Sequence, residues 1–386
     1  MKWERKTLGD ITNIFSGYAF KSSSMSKNEG VPLIKIKNIL SNSVTEECDT
    51  YLIPDKIDPN MDKFILQQGD FLVAMTGQGS VGRIGRMKKV IRKFYVNQRV
   101  AIVRTNLDIA NPSFVYYQIA TKQNEKVLFD KANGAGQPNI SAKQIGELPV
   151  ALPTIDIQDK IASIFSSYDD LIENNQKQIK LLEEAAQRLY KEWFVDLHFP
   201  GWEETKIVDG VPEGWRKETV GNLIDKIGRT KQVMTADYLD NGEIPVIDQS
   251  REFIAGYTND KDTIVDIGKP VIVFGDHTRI LKYIQFPFAK GADGTQLIVS
   301  NDKCMPQSLF YCSLINVDLS NYHYARHFKY LKAEEILVPS IRIAEAFDEF
   351  AVPIFRQIQK LRDTIQLCKE ARDRLLPKLM SGEVEV

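Results

Sequence analysis

Cysteine and histidine are scarce in this chain, with four of each among 386 residues. Cys48, Cys304, Cys312 and Cys368 form no CxxC pair and no disulfide-ladder spacing, which excludes a zinc ribbon and a stapled secreted scaffold. A long apolar run is also missing, so nothing is expected to cross a membrane. The opening Met-Lys-Trp-Glu-Arg lacks the apolar core of a signal peptide, and the expected compartment is the cytoplasm. Charge of one sign is lacking too. The 50 Lys plus Arg and 51 Asp plus Glu leave −1, which taken alone argues against a nucleic-acid binder. What is present is the mixture of an ordinary folded protein, 43% hydrophobic and 26% charged, with length for two or three domains.

Catalytic signatures are absent as well. The turn Thr76-Gly77-Gln78-Gly79-Ser80 is not followed by Gly-Lys-Ser/Thr, so it is no Walker phosphate loop. Asn111-Pro-Ser-Phe114 resembles the Asn-Pro-Pro-aromatic signature of adenine methyltransferases, but its second Pro is Ser and no glycine fingerprint accompanies it. An N-cap followed by Pro at the first helical turn explains it better. Pro54-Asp55 lacks a Glu-x-Lys partner for a metal nuclease, and His323 with His327 lacks a second ligand pair. No nucleophile-base pair stands out, so no catalytic residue, metal or bound cofactor is expected.

The chain repeats itself. Trp3-Glu-Arg-Lys-Thr7-Leu-Gly9-Asp-Ile11 returns as Trp215-Arg-Lys-Glu-Thr219-Val-Gly221-Asn-Leu223, 212 positions later. A Pro-led strand follows in each copy, at Pro32 and Pro245, and then a buried strand after Gly69 and Gly268. Two long helical stretches match better still. Ile161, Phe165, Tyr168, Ile172, Ile179, Leu182 and Leu189 form an apolar seam in strides of three and four. Phe347, Ile354, Ile358, Leu361, Ile365 and Leu375 form another, and an offset of 186 carries Ile172 onto Ile358, Ile179 onto Ile365 and Leu189 onto Leu375. Asn175 interrupts the first seam, where the second has Leu361.

The expected fold is therefore mixed α/β (α+β): two modules alternating with two long helices. A lone helix of that length cannot bury its stripe, so the helices are expected to pair as an antiparallel coiled coil with pseudo-two-fold symmetry. The expected boundaries are a first module over 1–155, a central helix over 156–195, a linker over 196–212, a second module over 213–338, a C-terminal helix over 339–380 and a tail over 381–386.

Within this plan the cations are unevenly placed. From Arg83 to Arg104 there are eight (Arg83, Arg86, Lys88, Lys89, Arg92, Lys93, Arg99, Arg104) and no acid. Leu319 to Ala333 is also free of acids and carries His323, Arg326, His327, Lys329 and Lys332 among Tyr322, Tyr324, Phe328 and Tyr330. A charge run is usually a solvated face. Two such runs at corresponding stages of two repeats also suit loops laid against a phosphate backbone. Base readout adds amide, guanidinium and carboxylate groups at loop tips. The candidates in the first module are Lys35, Lys37, Gln78, Ser80, Arg83, Arg86, Lys88, Gln98, Arg99, Gln137 and Asn139. In the second they are Asp276, His277, Thr278, Arg279, Tyr324, Arg326, His327 and Lys329. Ser141 with Gln144 reads equally as a helix capping box.

At this point the sequence resembles the specificity subunits of type I restriction-modification systems, from end to end. The resemblance rests on the alternation of divergent modules with similar helices. It rests also on Phe15-Ser-Gly17-Tyr-Ala-Phe20-Lys21, Gly136-Gln-Pro-Asn-Ile-Ser141, Leu152-Pro-Thr-Ile-Asp-Ile-Gln158, Arg188-Leu-Tyr-Lys-Glu-Trp-Phe194, Arg326-His-Phe-Lys-Tyr-Leu331 and Leu375-Leu-Pro-Lys-Leu-Met-Ser-Gly382. Ala344 departs from it, standing where the first copy has Gln158. The resemblance implies a non-catalytic reader of double-stranded DNA, with one target recognition domain for each half of an asymmetric, bipartite site. It implies docking of two methyltransferase subunits using S-adenosylmethionine and two translocase-nuclease restriction subunits using ATP and Mg. Leu181, Tyr190 and Phe194 are the candidate docking residues, with completion of the intramolecular core as their alternative. Rival readings are a coiled-coil scaffold or inhibitor that reads no DNA, and a self-contained methyltransferase or endonuclease.

Overall fold

The computed structural model describes residues 3–132, 138–225, 227–228, 230–322 and 326–386. Backbone registers carry the duplication. Glu4–Thr7 pairs antiparallel with Pro149–Leu152, Glu4 opposite Leu152, and Arg216–Thr219 pairs with Glu335–Val338, Arg216 opposite Val338. Arg216 lies 212 positions after Glu4 and Val338 lies 186 after Leu152, so both sequence offsets meet in one strand pair. Each module is thereby closed by its own first and last strands, immediately before a long helix begins.

The chain divides into two units, residues 1–172 with 367–386 and residues 173–366. Each holds one module and a segment of both long helices, Ile155–Tyr190 and Ile341–Ser381. In the first unit an antiparallel sheet runs Thr12–Ser16, Val100–Thr105, Phe71–Ala74, Ile84–Arg86. A second sheet runs Tyr95–Val96, Val31–Ile34, Tyr51–Leu52, Met25–Ser26. The Pro-led strand Val31–Ile34 is parallel to Tyr95–Val96. In the second unit Ile244–Ile247 is likewise parallel to Phe288–Gly291, and Val271–Gly275 lies between Leu281–Ile284 and Thr295–Ile298. Val271–Gly275 is buried throughout, consistent with its near-continuous apolar run.

The seams close within each unit. In the first, Ile161, Phe165 and Tyr168 share a core with Leu375, Leu379 and Phe114. Lys160 reaches Val386 and Asp169 pairs with Arg372 at 3.0 Å, so the two helix segments run antiparallel. In the second, Ile179, Leu182 and Leu189 share a core with Phe347, Ile354 and Ile358. There Glu183 pairs with Arg362 at 2.8 Å while Trp193 packs on Phe347, again antiparallel. Ile172, Leu361 and Ile365 are also buried. Asn175 is only 4% exposed, and its Nδ2 meets no hydrogen-bond partner. The C-terminal helix passes through Pro353 and Pro377, each of which removes one backbone donor.

One buried cation in the second unit has a measurable consequence. Lys282 is 4% exposed; it donates to the Glu252 carbonyl and lies 3.8 Å from Asp248. Burial pulls its ammonium from 10.5 down to about 8. Between those two values the unfolded chain holds a proton that the folded chain has released, so stability rises with pH through that window. Below it, both states are protonated and the full desolvation cost is present. Lys282→Met is therefore expected to stabilise the protein at neutral pH by about 1–2 kcal/mol and to flatten the slope above pH 8. Urea unfolding at about pH 7 and pH 9.5 measures both effects.

Candidate nucleic-acid interface

Backbone hydrogen bonds gather several separate loops of the first unit onto one edge. The Asn97 amide donates to Ile34 at 3.0 Å, setting Lys35 beside the Asn97-Gln98-Arg99 loop. Tyr18 bridges to Asn97, and the Gln98 amide donates to the Tyr18 carbonyl at 3.0 Å. The Arg99 carbonyl accepts from Met75, Thr76 bridges to Asn139, and the Gly77 amide donates to Pro138. A Cβ on Gly17 would stand 2.2 Å from the Val96 carbonyl oxygen, so only glycine lets the first two loops close. Gly77, Gly79 and Gly82 all have positive φ, as the turn carrying Gln78 and Ser80 requires.

On this edge Gln78, Gln98, Arg99 and Asn139 are exposed, and Ser80 and Arg83 are half-buried at the turn. Lys35 donates to Thr50 Oγ1 at 2.7 Å, and the exposed Lys37 is paired with Asp49. Gln137 lies outside the described residues.

Three cations of the same stretch go elsewhere. Arg86 donates to Ser113 Oγ at 3.0 Å and Tyr117 Oη at 2.7 Å, and lies over the rings of Tyr116 and Tyr117. Lys88 is paired with Asp170 of the central helix. Arg104 makes a two-pronged contact with Asp70. Arg86 and Lys88, expected at the DNA interface, thus have intramolecular partners that tie the module to the central helix. Asn111 caps the helix Pro112–Ile119, its Oδ1 accepting from Ser113 and Phe114, and Ser141 with Gln144 forms the capping box.

In the second unit the exposed tip of the hairpin after Val271–Gly275 is His277-Thr278. Gln249 organises it. Its Oε1 accepts from the His277 amide, its backbone carbonyl accepts from Thr278 Oγ1, and its Nε2 donates to Asp293. Gln249 follows the Pro-led strand just as Lys35 and Ile36 do in the first unit, so the repeat itself pointed to that position, which the sequence reading missed.

Asp276 is buried. Its carboxylate accepts from the Phe328 amide at 2.8 Å and its carbonyl from the His327 amide at 2.9 Å, holding the start of the helix His327–Ala333. Both ring nitrogens of His327 face carbonyls, those of Asp276 and Tyr322, and Arg279 donates to the same Tyr322 oxygen. Asp276 and His327 are thus buried and Arg279 is half-buried, while Arg326 and Lys329 are exposed. Tyr324 lies outside the described residues, as does His323.

The docking candidates also divide. Leu181 is 64% exposed, whereas Tyr190 and Phe194 lie in the second unit's core, Phe194 against Trp215 and Phe347. These two complete the intramolecular core. Among the described residues no group of His, Cys, Asp or Glu could hold a metal ion, and no helix is long and apolar enough to cross a membrane.

The chain is thus a duplicated α/β module on antiparallel helix segments, with loop edges that present amides and cations. Residues 1–184 match the type I restriction modification DNA specificity domain. The chain is 25% identical over 299 residues to the type I restriction enzyme MjaIX specificity subunit of Methanocaldococcus jannaschii, covering 71% of this chain and 69% of that one. It is 26% identical to the HindI specificity subunit of Haemophilus influenzae, over 50% of this chain and 41% of the relative. The crystal structure of a type I restriction-modification S subunit from M. genitalium shares the fold, with a TM-score of 0.62, 15% identity, and coverage of 98% and 96%. The first half of the chain thus carries a type I restriction modification DNA specificity domain, and the chain is similar to type I restriction enzyme specificity subunits.

Proposed function

We propose that this chain selects the DNA sequence on which a type I restriction-modification complex acts. Each unit reads one half of an asymmetric, bipartite target in double-stranded DNA, and the long helices set the gap between the halves. Two methyltransferase subunits dock on the helices, where Leu181 offers exposed apolar surface, and two restriction subunits complete the complex in the cytoplasm. S-adenosylmethionine, ATP and Mg belong to those partners. The observation that carries this reading is the loop edge of the first unit, where Gln78, Gln98, Arg99 and Asn139 from separate segments lie exposed together. Amides and guanidinium groups in such an arrangement can read base edges and neutralise phosphates. In the second unit His277, Thr278, Arg326 and Lys329 supply the exposed groups.

The test uses the chain assembled with its methyltransferase partner. Arg99→Ala and Arg326→Ala are each expected to weaken DNA binding and to reduce the slope of log affinity against log salt by about 1. Unchanged slopes in both variants would remove these residues from the interface. A wild-type complex that forms normally but methylates no defined site would favour the scaffold reading.

A further inference from the structure

At one pair of corresponding helix positions the two units join module to helix with different chemistry. In the first, a single carboxylate gathers four elements. Asp169 of the central helix accepts from Tyr117 Oη at 2.6 Å and from Arg372 Nη1 at 3.0 Å, and Arg86 Nη2 stands 3.6 Å away. Arg86 ends the strand Ile84–Arg86, Tyr117 belongs to the helix Pro112–Ile119, and Arg372 belongs to the C-terminal helix. In the second unit the position 186 after Asp169 is Phe355. Its ring lies 4.7 Å from that of Tyr283 and 5.5 Å from that of Tyr311. Tyr283 stands on the strand Leu281–Ile284 and Tyr311 on the helix Gln307–Ile315, so strand, short helix and long helix meet there too. At this helix position the contact is ionic in one copy and aromatic in the other.

The two chemistries constrain geometry differently. Ring packing is broad and tolerates small rotations, since apolar burial has no direction. A guanidinium held between hydroxyls, ring faces and a carboxylate is fixed in plane and azimuth. Arg86 also stands on the hairpin that carries Gln78 and Ser80, about 10 Å from Arg83 at the base of the turn at 3.3 Å per residue. Any tilt at Arg86 therefore moves the recognition edge. We infer that Arg86, Asp169 and Arg372 are positioning residues: together they fix the angle at which the first unit's recognition edge leaves its helix segments, and so the phase of the first half-site relative to the spacer. This rests on the function proposed above.

The experiment uses the full chain in complex with its methyltransferase, acting on DNA in which both half-sites are fixed and the spacer varies by one or two base pairs. Modified bases are read by sequencing. Asp169→Asn keeps the shape and an acceptor but removes the charge. It is expected to raise methylation at spacers one base pair off, relative to the native spacer, by about tenfold, the ratio that 1.4 kcal/mol represents. Half-site bases stay unchanged. Phe355→Leu in the second unit is expected to leave that ratio within about twofold, because its contact is non-directional, and Asp169→Glu is expected to restore most of the discrimination. Should Asp169→Asn fail to fold, Arg86→Lys keeps the charge, gives up the planar fork and is expected to relax spacing in the same way. Equal loss of methylation at every spacer, with no change in their ratio, overturns the inference and leaves a merely structural role. A wild-type complex without a defined bipartite site overturns the functional reading instead.

Discussion

Arg104→Ala is expected to destabilise the first unit by about 3–5 kcal/mol, the cost of leaving a buried carboxylate without its partner. Asp70 is almost fully buried, and Arg104 meets both of its oxygens, at 2.9 and 2.7 Å. The same guanidinium donates to the Ile65 carbonyl and lies over the Phe15 ring. Asp70 in turn accepts from the Gln67 amide at 2.8 Å, so the pair ties the turn before Phe71–Ala74 to the neighbouring strand Val100–Thr105. Truncating the arginine strands one charge and opens space beside Phe15. Combining Arg104→Met with Asp70→Asn removes the charge and keeps an acceptor for Gln67; it is expected to recover at least half of the loss, roughly 2 kcal/mol. Urea unfolding of the three proteins measures this. A single variant as stable as the wild type would mean that water reaches Asp70 once the arginine is gone.

Arg104 also shows why the site was harder to read than the fold. In a local charge count it is indistinguishable from Arg99, five positions earlier. The acids that claim Arg104 and Arg86 are Asp70 and Asp169, 34 and 83 positions away and outside the acid-free stretch. A window without acids therefore says nothing about which cations remain free. The second stretch behaves alike: His327 is consumed by carbonyls of Asp276 and Tyr322, and only its neighbours stay exposed.

The fold was legible because its signals are local and periodic. A seam in strides of three and four needs no distant partner to be recognised, and the two offsets reappear as one strand register. Tyr190 and Phe194 escaped that logic at the helix end. There Phe199 and Trp215 return over the helix and bury faces that an isolated amphipathic pattern leaves outside. Of the three docking candidates Leu181, farther along the shaft, keeps the exposure that the pattern predicts.

Seven residues inserted at matching levels of both long helices are expected to lengthen the methylated target's spacer by about three base pairs. Seven residues of α-helix add about 10.5 Å, and B-DNA rises about 3.4 Å per base pair along each strand. Seven is also the repeat of the seam, so Ile179, Leu182 and Leu189 would keep facing Phe347, Ile354 and Ile358 in the second unit's core. An insertion of four in both helices adds about 6 Å but turns the seam about 40° out of phase. That insertion is expected to cost stability and to move the spacer by about two base pairs where the complex survives. Because neither insertion touches the loops that carry Gln98, Arg99, His277 or Thr278, the bases read in each half-site should stay the same. Mapping modified bases with both proteins separates the alternatives. A spacer that grows with helix length while the half-sites hold makes the helices the ruler. Altered half-site bases at an unchanged spacer would move the control of spacing into the modules and end that part of the proposal.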